Sequence, residues 1–158
     1  MEGVLKKLTT TFAANGEVRW IGVRPDRRVP MVELDSVEIS ETGLVGDRRE
    51  TAGKRAVSLI QWEHLPVIAA LSGLNDLSPA RLRRNIAVSG INLLGLRKAT
   101  FRLGQVILRG TGICAPCSRM EEELGRGGYS AVRGHGGITA EVVTPGQIAL
   151  GAEVAPAN

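Results

Sequence analysis

The sequence is poor in aromatic residues: two tryptophans, one tyrosine and two phenylalanines make up 3% of its 158 residues. Proteins that hold single-stranded nucleic acid stack bases on aromatic platforms, and so few rings supply none. No nucleic-acid motif appears either, so nucleic acid is not an expected partner. No run approaches the roughly 20 apolar residues that cross a bilayer, so no membrane partner is expected. Met1 to Gly16 carries Lys6 and Lys7 with no apolar stretch behind them, unlike a secretory signal. A cytoplasmic protein with reduced thiols is the expectation. Histidine is limited to His64 and His135, and cysteine to Cys114 and Cys117. Lysine is scarce as well: of 20 basic residues, 4 are lysine and 16 arginine.

Against these shortages, 43% of residues are apolar, which supports one domain with a proper core. The net charge is +4. Arginine presents a planar fork that grips phosphate or carboxylate with two hydrogen bonds. A GC-rich genome would raise the arginine count on its own, but it would not cluster the residues. Short strand signals recur at 17–23, 32–39, 56–60, 86–88, 100–103, 106–109, 138–143 and 148–154, separated by turns rich in the 20 glycines. Helix signals are fewer: 63–71, a Ser78-Pro79 start, and 118–124 with Ser118 as N-cap and Gly125 as C-cap. Many short strands with sparse helices predict a mostly-β barrel or sandwich. Residues 1–16 read as an N-terminal tail or edge segment, and 17–158 as a single domain.

Four segments invite a chemical reading. Gly43-Leu44-Val45-Gly46-Asp47-Arg48-Arg49 is either a turn with a surface Asp–Arg pair or a backbone that approaches a ligand closely. Arg81-Leu82-Arg83-Arg84-Asn85 crowds three guanidiniums just before a strand. That crowding suits an anion, or a solvated basic helix end. Gly134-His135-Gly136-Gly137 is glycine-rich but lacks the Lys-Ser/Thr of a phosphate loop, and His135 reads as a loop histidine. Cys114-Ala115-Pro116-Cys117 falls between a strand and a helix, where the positive end of the helix dipole suits a thiolate. Zinc would need His64 and His135 as a second ligand pair, and these lie far apart in sequence. A thioredoxin-like dithiol belongs after the first strand of a βαβ unit, not near the end of a strand-rich chain. A single functional thiol beside a basic cofactor site is the favoured reading.

The order of these segments resembles the MOSC domain, named for the C-terminal domain of molybdenum cofactor sulfurase. The resemblance rests on Gly43 to Arg48, then Arg83-Arg84-Asn85-Ile86 with Gly90-Ile91-Asn92-Leu93, then Phe101-Arg102-Leu103-Gly104. Cys114-x-Pro116-Cys117, Gly136-Gly137-Ile138 and Gly146 to Gly151 complete it, so it spans about Val18 to Val154. It implies a barrel-like fold with a few short helices and a thiol that ligates molybdenum or carries sulfur. By the same resemblance, Cys117 is the functional thiol and molybdenum ligand, and Cys114 a neighbour that resolves or relays sulfur. Arg48, Arg83, Arg84 and Asn85 would hold the phosphate of the molybdenum cofactor (molybdopterin). Two activities are implied: reduction of N-hydroxylated compounds with electron-donor proteins, or persulfide transfer from a cysteine desulfurase. A non-enzymatic storage or interaction module is the third. No pyridoxal-phosphate sulfurase domain and no electron-transfer module accompany these segments, so reductive chemistry would need partners.

Overall fold

Strand β1 (Gly16–Val23) is where the sheet closes on itself. One edge of β1 pairs antiparallel with β6 (Ile86–Ser89). On its other edge the first residues, Gly16 and Glu17, pair with β11 (Glu153–Pro156), while Ile21 to Val23 pair with β2 (Val32–Leu34). From β11 the ladder runs through β7 (Thr100–Leu103), β8 (Val106–Ile113), β9 (Ile138–Thr144) and β5 (Val57–Gln61) back to β6. Seven strands therefore form a closed barrel, which leaves few edges exposed. The computed structural model describes residues 2–49 and 51–157. A small sheet of β10 (Gly146–Ala149), β3 (Ser36–Ser40) and β4 (Gly43–Leu44) packs beside the barrel.

Alternation along the strands divides two apolar layers. Val57 and Leu59 of β5, Ile86 and Val88 of β6, and Ile138 and Ala140 of β9 fill the barrel interior. Ile60 and Ala87 point outward, into a second cluster with Trp20, Leu65, Ile68, Leu82, Met120, Leu124 and Val132. Three helices cover that outer cluster: α2 (Leu65–Leu71), α3 (Ser118–Leu124) and α4 (Gly128–Val132). Helix α2 exists because β5 and β6 are parallel neighbours, and a parallel pair requires a crossover.

The structure departs from the sequence reading in several places. The 32–39 run breaks at Asp35 into β2 and β3, which belong to different sheets. The 148–154 run divides likewise, because Gly151 takes a positive φ between β10 and β11. Residues Glu2–Thr9, read as a tail or edge segment, form a helix, so the labels α2 to α4 follow an α1. Helix α4 has no counterpart in the sequence reading. It forms where Gly128 lets the chain turn back onto α3, since a Cβ there would sit 2.6 Å from the Met120 carbonyl oxygen. Gly125 caps α3 as expected, but its N-cap position is Cys117 rather than Ser118. Among the described residues no helix is long and apolar enough to cross a membrane.

Candidate anion-binding site

Outside the barrel, Ser58 of β5 and Thr139 of β9 face each other across the ladder. Both occupy outward positions, on the face opposite Val57, Leu59, Ile138 and Ala140. The segment after β4 folds over them, and Thr111 fastens it by donating to the Lys54 carbonyl while bonding the Thr139 hydroxyl at 2.8 Å. The result is a cavity of about 450 Å³ walled by Arg24, Arg48, Arg49, Arg55, Arg83 and Arg84. Ser58, Thr139, Thr51 and the buried Cys114 complete the wall. A larger cavity of about 750 Å³ lies between the end of α1 and the 90–99 segment. Its only charged wall residues are Arg97 and Lys98, and no thiol reaches it, so the chemistry converges on the arginine cavity.

Six guanidiniums around one space repel one another, and only one has a carboxylate partner among the described residues. Asp47 accepts from the Arg24 backbone N–H at 2.7 Å, from Nε at 3.1 Å and from Nη2 at 2.8 Å. The sequence allowed a surface Asp–Arg pair here; the structure instead buries Asp47 and pairs it with Arg24, 23 residues away. Burial pushes the Asp47 carboxyl up, but the Arg24 hydrogen bonds and charge outweigh that and hold it below the ordinary carboxylate value. A depressed folded pKa stabilises the fold above the unfolded value near 3.8 and is lost as pH falls through the folded value. Stability should therefore drop in acid, and Asp47→Asn should flatten that part of the pH–stability curve. A curve unchanged by Asp47→Asn would contradict this.

Asn85 is committed to the same wall. Its Oδ1 accepts from the Ser58 N–H and hydroxyl, and its Nδ2 donates to the Gly22 carbonyl and to Asp47. It braces the cavity instead of facing it. Arg84 differs. Its side chain is buried, Nε donates to the Gly136 carbonyl at 2.9 Å and Nη1 to the Leu82 carbonyl at 2.9 Å, while Nη2 has no partner among the described residues. Buried donors are almost always satisfied, so an orphan donor in a cavity wall marks a place for an acceptor. Arg83 takes a left-handed conformation, φ 57° and ψ 36°, uncommon for a side-chain-bearing residue. Burial, and then repulsion from Arg119, Arg24 and Arg48, lowers its pKa from the ordinary arginine value.

The glycines explain how these groups meet. A Cβ on Gly136 would lie 2.5 Å from the Cys114 carbonyl oxygen and 3.3 Å from Arg84 Nη2. Only glycine admits both neighbours. Next to it, the Gly137 carbonyl accepts from the Cys114 N–H at 2.9 Å. Cys117, three residues on, is exposed. It is not among the residues lining the cavity. Arg48, Arg83 and Arg84, the sequence candidates, are thus brought together with Cys114. Arg24, Arg55, Ser58 and Thr139 were not singled out from sequence, and Arg49 stood only at the end of the Gly43–Arg49 segment. Ser58 was detectable as the one polar residue inside the apolar 56–60 run, whereas Thr139, Arg24 and Arg55 carried no signal. His64 and His135, far apart in sequence, pack edge to face with ring centroids 4.9 Å apart. The crossover to α2 and the turn before β9 carry them there. No group of three or more His, Cys, Asp and Glu suited to a metal ion occurs among the described residues.

The two thiols should react at very different rates, because Cys114 is 5% exposed and Cys117 is open to solvent. In a time course with a thiol-specific disulfide reagent, Cys117→Ser should abolish the fast phase and Cys114→Ser should keep it. The reverse pattern would contradict the geometry.

The family profile of the MOSC domain matches residues 43–155. The chain belongs to the MOSC domain family. The match contains every cavity arginine except Arg24, and both cysteines. Solved structures share the MOSC fold at low identity. The YUAD protein from Bacillus subtilis superposes with a TM-score of 0.79 at 19% identity, covering 91% of this chain and 97% of that one. YiiM from Geobacillus stearothermophilus gives 0.72 at 16%, over 90% of this chain and 75% of its own. YiiM from Escherichia coli gives 0.71 at 17%, over 90% and 70%. The comparison with curated proteins gave no match.

Proposed function

We propose that this MOSC domain binds the phosphate-bearing pterin of the molybdenum cofactor in the arginine cavity, with the Cys117 thiolate as ligand to the metal. The observation that carries this reading is the buried Arg84 guanidinium, whose Nη2 has no partner among the described residues, in a wall with five other arginines. Such a donor set fits a phosphate, and hydroxyls from Ser58 and Thr139 fit the polar edge of a pterin. A cysteine thiolate is the soft donor that molybdenum favours. Cys117 lies on the short segment that leaves the cavity wall at Cys114, and its exposure leaves the sulfur free to accept a ligand. When bound, the cofactor would supply two-electron chemistry on N-hydroxylated compounds, with electrons from donor proteins. The chain's own residues hold the phosphate, fix the Cys114–Cys117 segment through Gly137, and leave Cys117 open to a substrate or a partner.

That same exposure favours a second reading, in which Cys117 accepts a sulfane sulfur from a cysteine desulfurase and holds it as a persulfide. Metal analysis of protein from a host that makes the cofactor separates the two. On the first reading, purified protein carries molybdenum and Cys117→Ala loses most of it. Each cavity arginine contributes about 1.5–3 kcal/mol of charge-assisted hydrogen bonding, so Arg48→Ala weakens binding without abolishing it. On the second, incubation with the desulfurase and cysteine adds sulfur to Cys117 by mass. Neither molybdenum nor added sulfur would leave the storage or interaction role alone.

A further inference from the structure

Beside the arginine cavity lies a second one of about 250 Å³, and Arg83 belongs to both walls. Arg28, Arg81 and Arg119 complete its basic lining. Two carboxylates oppose them: Glu123 on the wall, and Glu122, which pairs with Arg28 at 3.4 Å. Four guanidiniums against two carboxylates leave the space positive. Apart from Arg28, these arginines have no carboxylate partner among the described residues. Arg81 donates to the Glu123 backbone carbonyl at 2.5 Å, not to its carboxylate. Arg83 donates to the carbonyls of Val29 at 2.6 Å and Asp26 at 3.0 Å. Arg119 keeps a buried Nε with no partner among the described residues.

Continuity with the first cavity is the second observation. Arg83 lines both cavities, with Arg24 and Arg48 on the wall of the first and Arg119 on the wall of the second, so it stands between the two groups of charges. The 114–119 segment makes the same connection. Cys114 lines the first cavity and Arg119 the second, so the exposed Cys117 lies on the stretch between them. A guanidinium cluster of this kind is costly unless an anion offsets it.

We infer that the Arg28/Arg81/Arg83/Arg119 cavity is a second phosphate subsite, so that the domain takes two phosphate-type anions, one on each side of Arg83. The second phosphate comes either from an extension of the bound cofactor, such as a nucleotide, or from a separate phosphorylated substrate presented beside Cys117. The assignment of the first cavity rests on the function proposed above; that of the second rests on its own residues.

Calorimetric titration of the full chain with inorganic phosphate at low ionic strength tests the inference. Wild type should bind two phosphates. Arg119→Gln and Arg81→Gln, both at or near the surface, should each weaken one site at least about tenfold and leave the other within about twofold. Arg48→Ala with Arg55→Ala should do the converse. A series of linear alkanediol bisphosphates then separates the sources. If one spacer length binds at least about tenfold tighter than a monoester, one molecule reaches both subsites. If no spacer gains while two free phosphates still bind, the second anion arrives on a separate molecule. Either result supports the second subsite. A single phosphate per chain, sensitive to Arg48 and Arg55 but not to Arg81 or Arg119, overturns it and leaves the function proposed above standing. A single phosphate with the opposite sensitivity contradicts both the two-anion inference and the function proposed above.

Discussion

Gly137→Ala should leave almost no folded protein. Gly137 has a φ of +88°, and a Cβ built on it would lie 1.8 Å from the Leu59 carbonyl oxygen and 2.9 Å from its carbon. Both obstacles are backbone atoms of β5, so no rotamer change relieves them. Relief requires β9 to move away from β5, which breaks the pairing of Leu59 with Ile138 and the Cys114 bond to the Gly137 carbonyl. Damage of this kind belongs with the exceptional substitutions that cost more than about 4 kcal/mol. Domains have only about 5–15 kcal/mol in total. Gly134→Ala is the control. It shares a positive φ, +83°, but nothing lies within 4 Å of its Cβ. Its cost should be the backbone strain alone, roughly 1–2 kcal/mol. Soluble yield and thermal midpoint measured side by side decide the point. Equal losses in the two variants would show that the close approach at Gly137 is not a constraint.

Asn85→Ala should destabilise the fold and loosen the arginine cavity together. Its side chain makes four hydrogen bonds, two to Ser58 and one each to the Gly22 carbonyl and Asp47, at 3.1–3.3 Å. Truncation leaves buried groups on three elements short of partners, a cost on the order of 3 kcal/mol. Asp47 would then depend on Arg24 and the Arg49 backbone N–H in a buried site, and the wall that holds Arg24 and Arg84 would lose its brace. Asn85→Asp should be at least as harmful, because it sets a second carboxylate 3.3 Å from Asp47. A thermal midpoint and phosphate affinity both unaffected by Asn85→Ala would contradict this. Loss of stability with intact affinity would confine Asn85 to the fold.

Much of this architecture was legible in the sequence because strands with one buried face write their period into it. Residues 56–60, 86–88 and 138–143 alternate or run apolar, and all three lie in the barrel wall. The splits at Asp35 and Gly151 were not legible, since one residue redirects a strand to another sheet without disturbing the pattern on either side. Helix α1 was missed because it is short and its apolar residues, Val4, Leu5 and Leu8, are exposed and meet no core. At the site, the Arg81–Arg84 crowding announced charge, but not that Arg83 would serve two cavities and Arg84 would be buried. Asn85 looked like a ligand contact by position in a motif. Its bonds to Ser58, Gly22 and Asp47 depend on packing between residues 27 to 63 positions apart, which no local pattern encodes.

The central claim is that the arginine cavity holds a phosphate-bearing anion, and the most direct measurement is the cofactor content of protein made in a host that synthesises it. Molybdenum and phosphorus should be found together in stoichiometric amounts in wild type. Arg48→Ala combined with Arg55→Ala should strip both elements, with the thermal midpoint of the bare protein unchanged, since both arginines reach into the cavity from exposed positions. Protein from such a host that carries neither element, or a double variant that retains both in full, would contradict it.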